Sequence, residues 1–278
     1  EAIFLKELKH PNIVQFYGCC IEPKCCIIIE FMSNGSLFDL IHKDKSKELT
    51  FNLIIQIAID IVNGLVYLHD KMQIIHRDVK SMNVLLGYNN KAKITDFGLS
   101  KSNNQMSTMF GGAKGTYEYM APELDAENII YTFKCDIFSL SIILWELVTR
   151  EIPYKNITNK MFIPTLVKDG ERETIPNNCN QSFASIIQQC WDGNPDNRPI
   201  ASQLLQQLVI IKNEICDSSN NNNINNSNSD TISSENNNSI NINKNFESEI
   251  YELYYKSTLG NKESFDKLNE LSNTNYKL

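Results

Sequence analysis

His76-Arg77-Asp78-Val79-Lys80-Ser81-Met82-Asn83 is the stretch on which the reading of this chain turns. It packs an acid, two bases, an amide and an imidazole into eight residues, too polar for a core element and too specific for a solvated turn. Two further signals follow it in order. Asp96-Phe97-Gly98 begins thirteen residues after Asn83, and Ala121-Pro122-Glu123 comes next, behind Gly115-Thr116-Tyr117-Glu118-Tyr119-Met120. Singly, an Asp, Asn or Lys in a loop is turn-forming or solvated polarity. The joint order and spacing of all three signals make coincidence the poorer explanation.

The residue types suit one chemistry. Asp78 can accept a hydrogen bond from a hydroxyl and take its proton. Asn83 and Asp96 offer oxygen ligands of the kind that Mg²⁺, a hard cation, prefers. Lys80, two residues beyond Asp78, can reach a phosphate as a point charge. In this frame the chain resembles the eukaryotic protein kinases, whose catalytic loop has the form H-R-D-x-x-x-x-N. Residues 1–215 carry the resemblance.

The resemblance implies a protein-kinase-like α+β fold, mainly the helical C-lobe with a remnant of the N-lobe. It implies Mg²⁺ and ATP, with Asp78, Lys80, Asn83 and Asp96 as catalytic residues, and Asn83 and Asp96 as metal ligands. Ile29 falls at the gatekeeper, Glu30-Phe31-Met32 resembles the hinge whose backbone holds adenine, and Leu85 resembles the floor of the adenine pocket. Leu5, Phe16, His76 and Phe97 match the stacked regulatory spine, where His76 packs rather than carries protons. Asp136 resembles the buried helix acid that supports the catalytic loop, and Glu123 is expected to pair with Arg198. Each apolar member of this set would be core in any fold.

Lys80, together with Gly115-Thr116 ahead of Ala121-Pro122-Glu123, resembles the serine/threonine kinases. His10-Pro11-Asn12-Ile13-Val14, Gly35-Ser36-Leu37 and Cys190-Trp191 look like their tyrosine-kinase-like group. The implied substrate is a protein serine or threonine, with dual specificity as the main exception. Arg77 is implied to bind a phosphate on the activation loop, placed there by an upstream kinase or by autophosphorylation. Ser107 and Thr108 are the candidate acceptors, because phosphate and arginine make strong charge-assisted bonds.

No G-x-G-x-x-G loop and no Val-Ala-x-Lys strand occurs in the 278 residues. By the resemblance, Glu1 stands where the partner of that lysine belongs, nine residues before His10. Two expectations follow: a fragment of an active kinase whose longer parent holds the missing parts, or a non-catalytic kinase-like interaction module. Retention of Asp78, Lys80, Asn83 and Asp96 favours the first, since a binding module has no chemical use for all four.

The rest of the chain is consistent with that frame. A hydrophobic fraction of 42% over 278 residues allows a sizeable core. A net charge of −7 argues against nucleic acid as a partner. The apolar runs Ile27–Ile29 and Ile137–Val148 are too short to span a bilayer, which takes roughly 20 residues. The eight cysteines lack metal-ligand spacing and are read as buried, reduced thiols of a cytoplasmic protein.

Residues 1–9 read as the end of a helix stopped by Pro11. Ile13–Tyr17 and Cys25–Phe31 read as a hairpin around Glu22-Pro23-Lys24. Residues 51–69 and 136–149 are apolar on nearly every face and read as buried helices, with further helices near 182–191 and 200–215. From Asp217 to Asn245, thirteen of 29 residues are Asn and seven are Ser, so residues 216–245 read as a disordered linker. Helical spacing returns in a short tail, 246–278, one copy of a tetratricopeptide-like hairpin at most.

Overall fold

The computed structural model describes residues 2–20, 26–102, 115–124 and 130–224. Glu1, the hairpin turn, Ser107, Thr108 and the tail beyond Ile224 lie outside them. Glu1–Cys216 forms one compact unit and Asp217–Leu278 a second, whose described part, residues 217–224, is helical.

Among the described residues, the first unit is a mainly helical body with three two-stranded sheets. Helix α1 (Ala2–Glu7) ends just before the buried Leu8. Strands β1 (Phe16–Cys20) and β2 (Cys26–Ile29) pair antiparallel, Phe16 opposite Ile29 and Cys20 opposite Cys26, with an irregularity between Phe16 and Gly18. The expected hairpin forms, but its first strand starts three residues late. Residues 12–14 are taken by another sheet: Val14 N donates to Ile94 O at 2.9 Å, Ile94 N to Asn12 O at 2.8 Å, and Asn12 Nδ2 to Ala92 O at 2.9 Å. Backbone groups satisfied there cannot also join the hairpin.

Helix α2 (Phe51–Val66) begins on Thr50, whose side chain accepts from Leu53 N. Taken with the turn that follows, Phe51–Lys71 is long and apolar enough to cross a membrane, but most of it is packed inside the domain. All-round hydrophobicity marks a helix surrounded by its own protein. Gly64 sets how closely α2 approaches its neighbour. A Cβ there would lie 2.8 Å from Ile94 Cδ1 and 3.0 Å from Asn12 O, so only glycine lets helix and strand meet.

Short strands β3 (Ile74–Ile75), β4 (Val84–Leu86), β5 (Ala92–Ile94) and β6 (Lys101–Ser102) flank the loops of interest; β4 pairs with β5 and β3 with β6. Helix α3 (Phe133–Thr149) buries every residue from Cys135 to Leu147 and so forms the axis of the body. It ends at Arg150, in a left-handed conformation (φ 56°), whose guanidinium collects the carbonyls of Leu40, Ile41, Asp44 and Lys47. Helices α4 (Ile163–Lys168) and α5 (Gln181–Cys190) follow, and α6 (Ala201–Ile224) begins in this unit and runs further than 200–215, its residues beyond Cys216 belonging to the second.

The cysteines only partly match expectation. Cys135 and Cys190 are buried, but Cys19, Cys26 and Cys216 are exposed. The β1–β2 ladder carries Cys19 and Cys26 on a surface that no described element covers.

Candidate active site

The site is assembled around one buried carboxylate. Asp136 stands in the first turn of α3, where the helix dipole favours an anion. Its Oδ2 accepts from His76 N at 2.8 Å and meets His69 Nε2 at 2.9 Å; its Oδ1 accepts from Arg77 N at 2.9 Å. Burial pushes its pKa up, but the hydrogen bond and charge of His69, with the bond from His76 N, outweigh that and hold it below the usual range. The carboxylate thereby fixes Arg77 in the left-handed region, φ 68°, a conformation that costs a non-glycine residue about 1–3 kcal/mol.

That kink turns the chain so that His76 faces inward and Asp78 outward. His76 is fully buried; its Nδ1 accepts from Asp78 N at 3.3 Å while Nε2 meets Thr95 O at 3.0 Å, which assigns the proton to Nε2. Its ring edge rests on Phe97, centroids 5.0 Å apart. His76 packs, as expected of it.

Asp78, Lys80, Asn83 and Thr116 form one hydrogen-bonded cluster. Lys80 Nζ lies 2.7 Å from Asp78 Oδ2 and 3.0 Å from Thr116 Oγ1, and Thr116 Oγ1 donates to Asp78 Oδ1 at 3.0 Å. Asn83 Nδ2 donates to Asp78 O at 3.0 Å and to Oδ2 at 3.1 Å. Asn83 is thus oriented with its amide nitrogen spent on Asp78, which leaves its carbonyl oxygen as the atom with ligand capacity. Thr116 was no more than a class marker in the sequence, yet it touches both Asp78 and Lys80. Gly115 allows it to come so close. With φ 131° and a virtual Cβ 3.1 Å from Arg77 O, position 115 admits little but glycine.

Asp96 is exposed and also left-handed, φ 64°. Thr95 N donates to Asn83 O at 2.9 Å, so the two prospective metal ligands lie on adjoining, mutually bonded segments. Two hard oxygen donors fit Mg²⁺, which keeps waters and phosphate oxygens for its remaining positions rather than a full protein cage.

The adenine-side residues are less closely gathered. Ile29 and Asp96 line one recess of about 180 Å³ with Leu5, Val14, Ile27 and Thr95; Leu85, on β4, is not among its walls. Phe16, the fourth spine residue, is only half-buried. Glu30 is held by Lys93 Nζ at 2.6 and 2.8 Å and by Gln15 N at 3.2 Å. Met32 is buried and Phe31 is 88% exposed.

Two supports were foreseen to different degrees. Arg198 binds Glu123 with two bonds of 2.7 Å, as the resemblance implied, and also lies over the ring of Phe138. Arg77, expected to receive a phosphate, gives Nε to Leu99 O and lies over the Tyr131 ring. Burial lowers its pKa, against the pull of Tyr131 and Asp136.

Residues 1–208 match the family described as protein tyrosine and serine/threonine kinase. The chain belongs to that family. Similar proteins include serine/threonine-protein kinase STY46 of Arabidopsis thaliana, 38% identical over 77% of this chain and 37% of the relative. Serine/threonine/tyrosine-protein kinase HT1 of the same plant is 38% identical over 75% of this chain and 53% of its own. Mitogen-activated protein kinase kinase kinase 12 of Rattus norvegicus is 38% identical over 76% of this chain and 23% of its own. These relatives support the tyrosine-kinase-like reading, and the chain spans between about a quarter and a half of their lengths. The kinase family acts on proteins with ATP and Mg²⁺.

Proposed function

We propose that this chain is the catalytic half of a serine/threonine protein kinase, with Asp78 as the base. The observation that carries the reading is the Asp78 cluster. A carboxylate is oriented by Asn83, screened by Lys80 and capped by Thr116, on a loop pinned by Asp136. Phosphoryl transfer asks the protein for positioning and charge stabilisation more than for covalent help.

In this reading a substrate hydroxyl displaces Thr116 from Asp78 Oδ1 and gives its proton to that oxygen as its bond to the γ-phosphorus of ATP forms and the bond from that phosphorus to the bridging oxygen breaks, releasing ADP. Lys80 faces the transferring phosphate. Asn83 and Asp96 hold Mg²⁺, which when bound neutralises phosphate charge. Ile29, Leu85 and the backbone of Glu30–Met32 receive adenine. Lys80 with Thr116 supports serine and threonine as acceptors, and two of the three relatives described above carry serine/threonine in their names, one of them with tyrosine added.

The 278 residues contain no Gly-rich phosphate loop and no Val-Ala-x-Lys strand, so the chain alone is expected to transfer phosphate at background level. Fusing those strands from a relative ahead of Glu1 is expected to give Mg-ATP-dependent phosphorylation of serine and threonine in a peptide library. Asp78→Asn in that fusion should cost about 10²–10⁴-fold in kcat at unchanged melting temperature. A fusion that stays inert even after treatment with an upstream kinase would favour the interaction module. An undiminished Asp78→Asn variant would remove Asp78 as base.

A further inference from the structure

The β1–β2 ladder ends on two cysteines. Cys20 stands directly opposite Cys26 in the antiparallel register. Residues so opposed point to the same face, with Cα atoms about 4.5–5.5 Å apart. A disulfide takes a Cα separation of about 4.4–6.8 Å, so the backbone already meets that demand. Both residues carry thiols; Cys26 is exposed and Cys20 half-buried.

The register singles out this pair. Cys19 is opposite Ile27, and successive residues of a strand point to opposite faces, so its thiol is turned away from Cys20 and Cys26. Cys135 and Cys190 are buried in the helical body. Burial pushes both thiols up, Cys190 to about 12, so neither presents a thiolate to an oxidant in solution.

We propose that Cys20 and Cys26 form a dithiol site for hydroperoxides, closing to a disulfide that staples the β1–β2 hairpin beside the recess lined by Ile27 and Ile29. The inference needs only the hairpin and stands apart from the kinase reading.

Cys26, the more exposed thiol, reacts first. Its thiolate sulfur bonds to one peroxide oxygen, the O–O bond breaks, and the departing hydroxide takes a proton to become water. The Cys20 thiolate then attacks the sulfur of the Cys26 sulfenic acid. The S–O bond breaks, and a second hydroxide leaves and is protonated to water. Both protons come from the two thiols. In sum, two thiols give two electrons to hydrogen peroxide, and one disulfide and two waters result. A resolving thiol held opposite the sulfenic acid intercepts it before further oxidation.

The bond alters a segment that is otherwise easily opened. Every residue of β2 is exposed, and a two-stranded ribbon is marginal by itself. Local openings of such a ladder cost little, and a covalent tie at its last pair suppresses them. Glu30 N, bonded to Gln15 O at 2.9 Å just past the other end of the ladder, reports how far that effect travels toward the adenine-side residues.

Hydrogen peroxide added to the dilute 278-residue chain tests the site. The thiol count should fall by two and return on treatment with dithiothreitol. Trypsin cuts after Lys24, between the two cysteines, so the disulfide should leave peptides 10–24 and 25–43 joined until reduced. Fragmentation of the joined pair should place the bond at Cys20 and Cys26. Cys20→Ser and Cys26→Ser should each abolish the joined pair, and Cys19→Ser should retain it. In the oxidised chain the amides of residues 16–20 and 26–30 should exchange about tenfold more slowly, with α5 unchanged. A bond through Cys19 or Cys25, a disulfide between two chains in its place, or sulfonic acid without a disulfide overturns the proposal. So does a hairpin that exchanges no more slowly once oxidised.

Discussion

The helical body and the β1–β2 hairpin solve opposite problems. Around α3, two buried acids each gather three partners, Asp136 from two segments and Glu146 from three, and no residue between Cys135 and Leu147 reaches solvent appreciably. Along β2, every residue is exposed, and Ile27, Ile28 and Ile29 are 41%, 52% and 39% accessible. The catalytic loop is rooted in the first region; of the residues proposed to hold adenine, Ile29 and the adjoining Glu30–Met32 hang on the second, and only Leu85 lies elsewhere, on β4. Catalytic geometry is therefore self-supporting within the described residues, whereas nucleotide enclosure is not.

The sharpest way to break that contrast is Asp136→Ala. It strands two backbone N–H groups and His69 in a dry interior and releases Arg77 from its left-handed turn. Breaking a buried charged cluster by removing one partner costs about 3–5 kcal/mol. The expected result is a fall of that size in denaturant-unfolding free energy, with loss of phosphotransfer in the fusion. Because its partners hold the Asp136 pKa down, their contribution is full above the ordinary carboxylate pKa. It fades as pH falls through the lower folded value, and the Asp136→Ala variant should lack that acid-side loss. A loss under 1 kcal/mol would show that the body does not depend on this anchor.

Gly115→Ala comes next. A left-handed conformation at a non-glycine residue costs about 1–3 kcal/mol, and the added Cβ presses on Arg77 O at 3.1 Å. The neighbour is backbone, which cannot swing aside. Thermal unfolding should detect the loss, and Thr116 should be displaced from Asp78. An Ala variant as stable as the parent would mean that the 115–120 loop rearranges freely.

What could be read in the sequence divides along the same line. Asp78, Asn83 and Asp96 were legible because their chemistry demands particular atoms at short, fixed spacings along the chain. Helices α2 and α3 were legible because burial on all sides leaves unbroken apolar runs. Glu146 was not, since a single acid in Leu144-Trp145-Glu146-Leu147 gains its meaning from partners 27 to 104 residues away. The start of β1 was misplaced for a related reason. Apolar Ile13 and Val14 suit a strand, but which strand depends on Ile94, eighty residues on. Short strands β3 to β6 carry too few residues for a period to register.

A third test addresses the join between the two regions. His10 stacks on Tyr67, centroids 4.8 Å apart, and its Nδ1 accepts from Asn12 N at 3.1 Å. Burial, with help from the charges of Lys91 and Lys93, lowers its pKa from 6.5 to about 3. A depressed folded pKa means that the unfolded chain takes up the proton first. Stability is therefore full above pH 6.5 and declines as pH falls toward 3, by up to about 2 kcal/mol between pH 7 and 5. Unfolding free energies across that range should show the slope, and His10→Asn should flatten it. A parent curve already flat there would place His10 in water.

The smallest effect is expected at Phe31. An aromatic 88% exposed has little apolar surface to lose, so Phe31→Ser should change unfolding free energy by no more than about 0.5 kcal/mol. Its neighbours make the result informative. Met32, one residue on, is buried, with its Cε about 3.3 Å from a virtual Cβ on Gly87, and Glu30 is tied to Lys93. If the hinge binds adenine through backbone, Phe31→Ser should also leave nucleotide affinity of the fusion within about threefold, read by titration with a fluorescent ATP analogue. A tenfold loss would instead give the Phe31 ring a part in nucleotide recognition. The hairpin would then be folded more closely over its ligand than its exposed face suggests, and the contrast with the helical body would narrow from the side that now looks open.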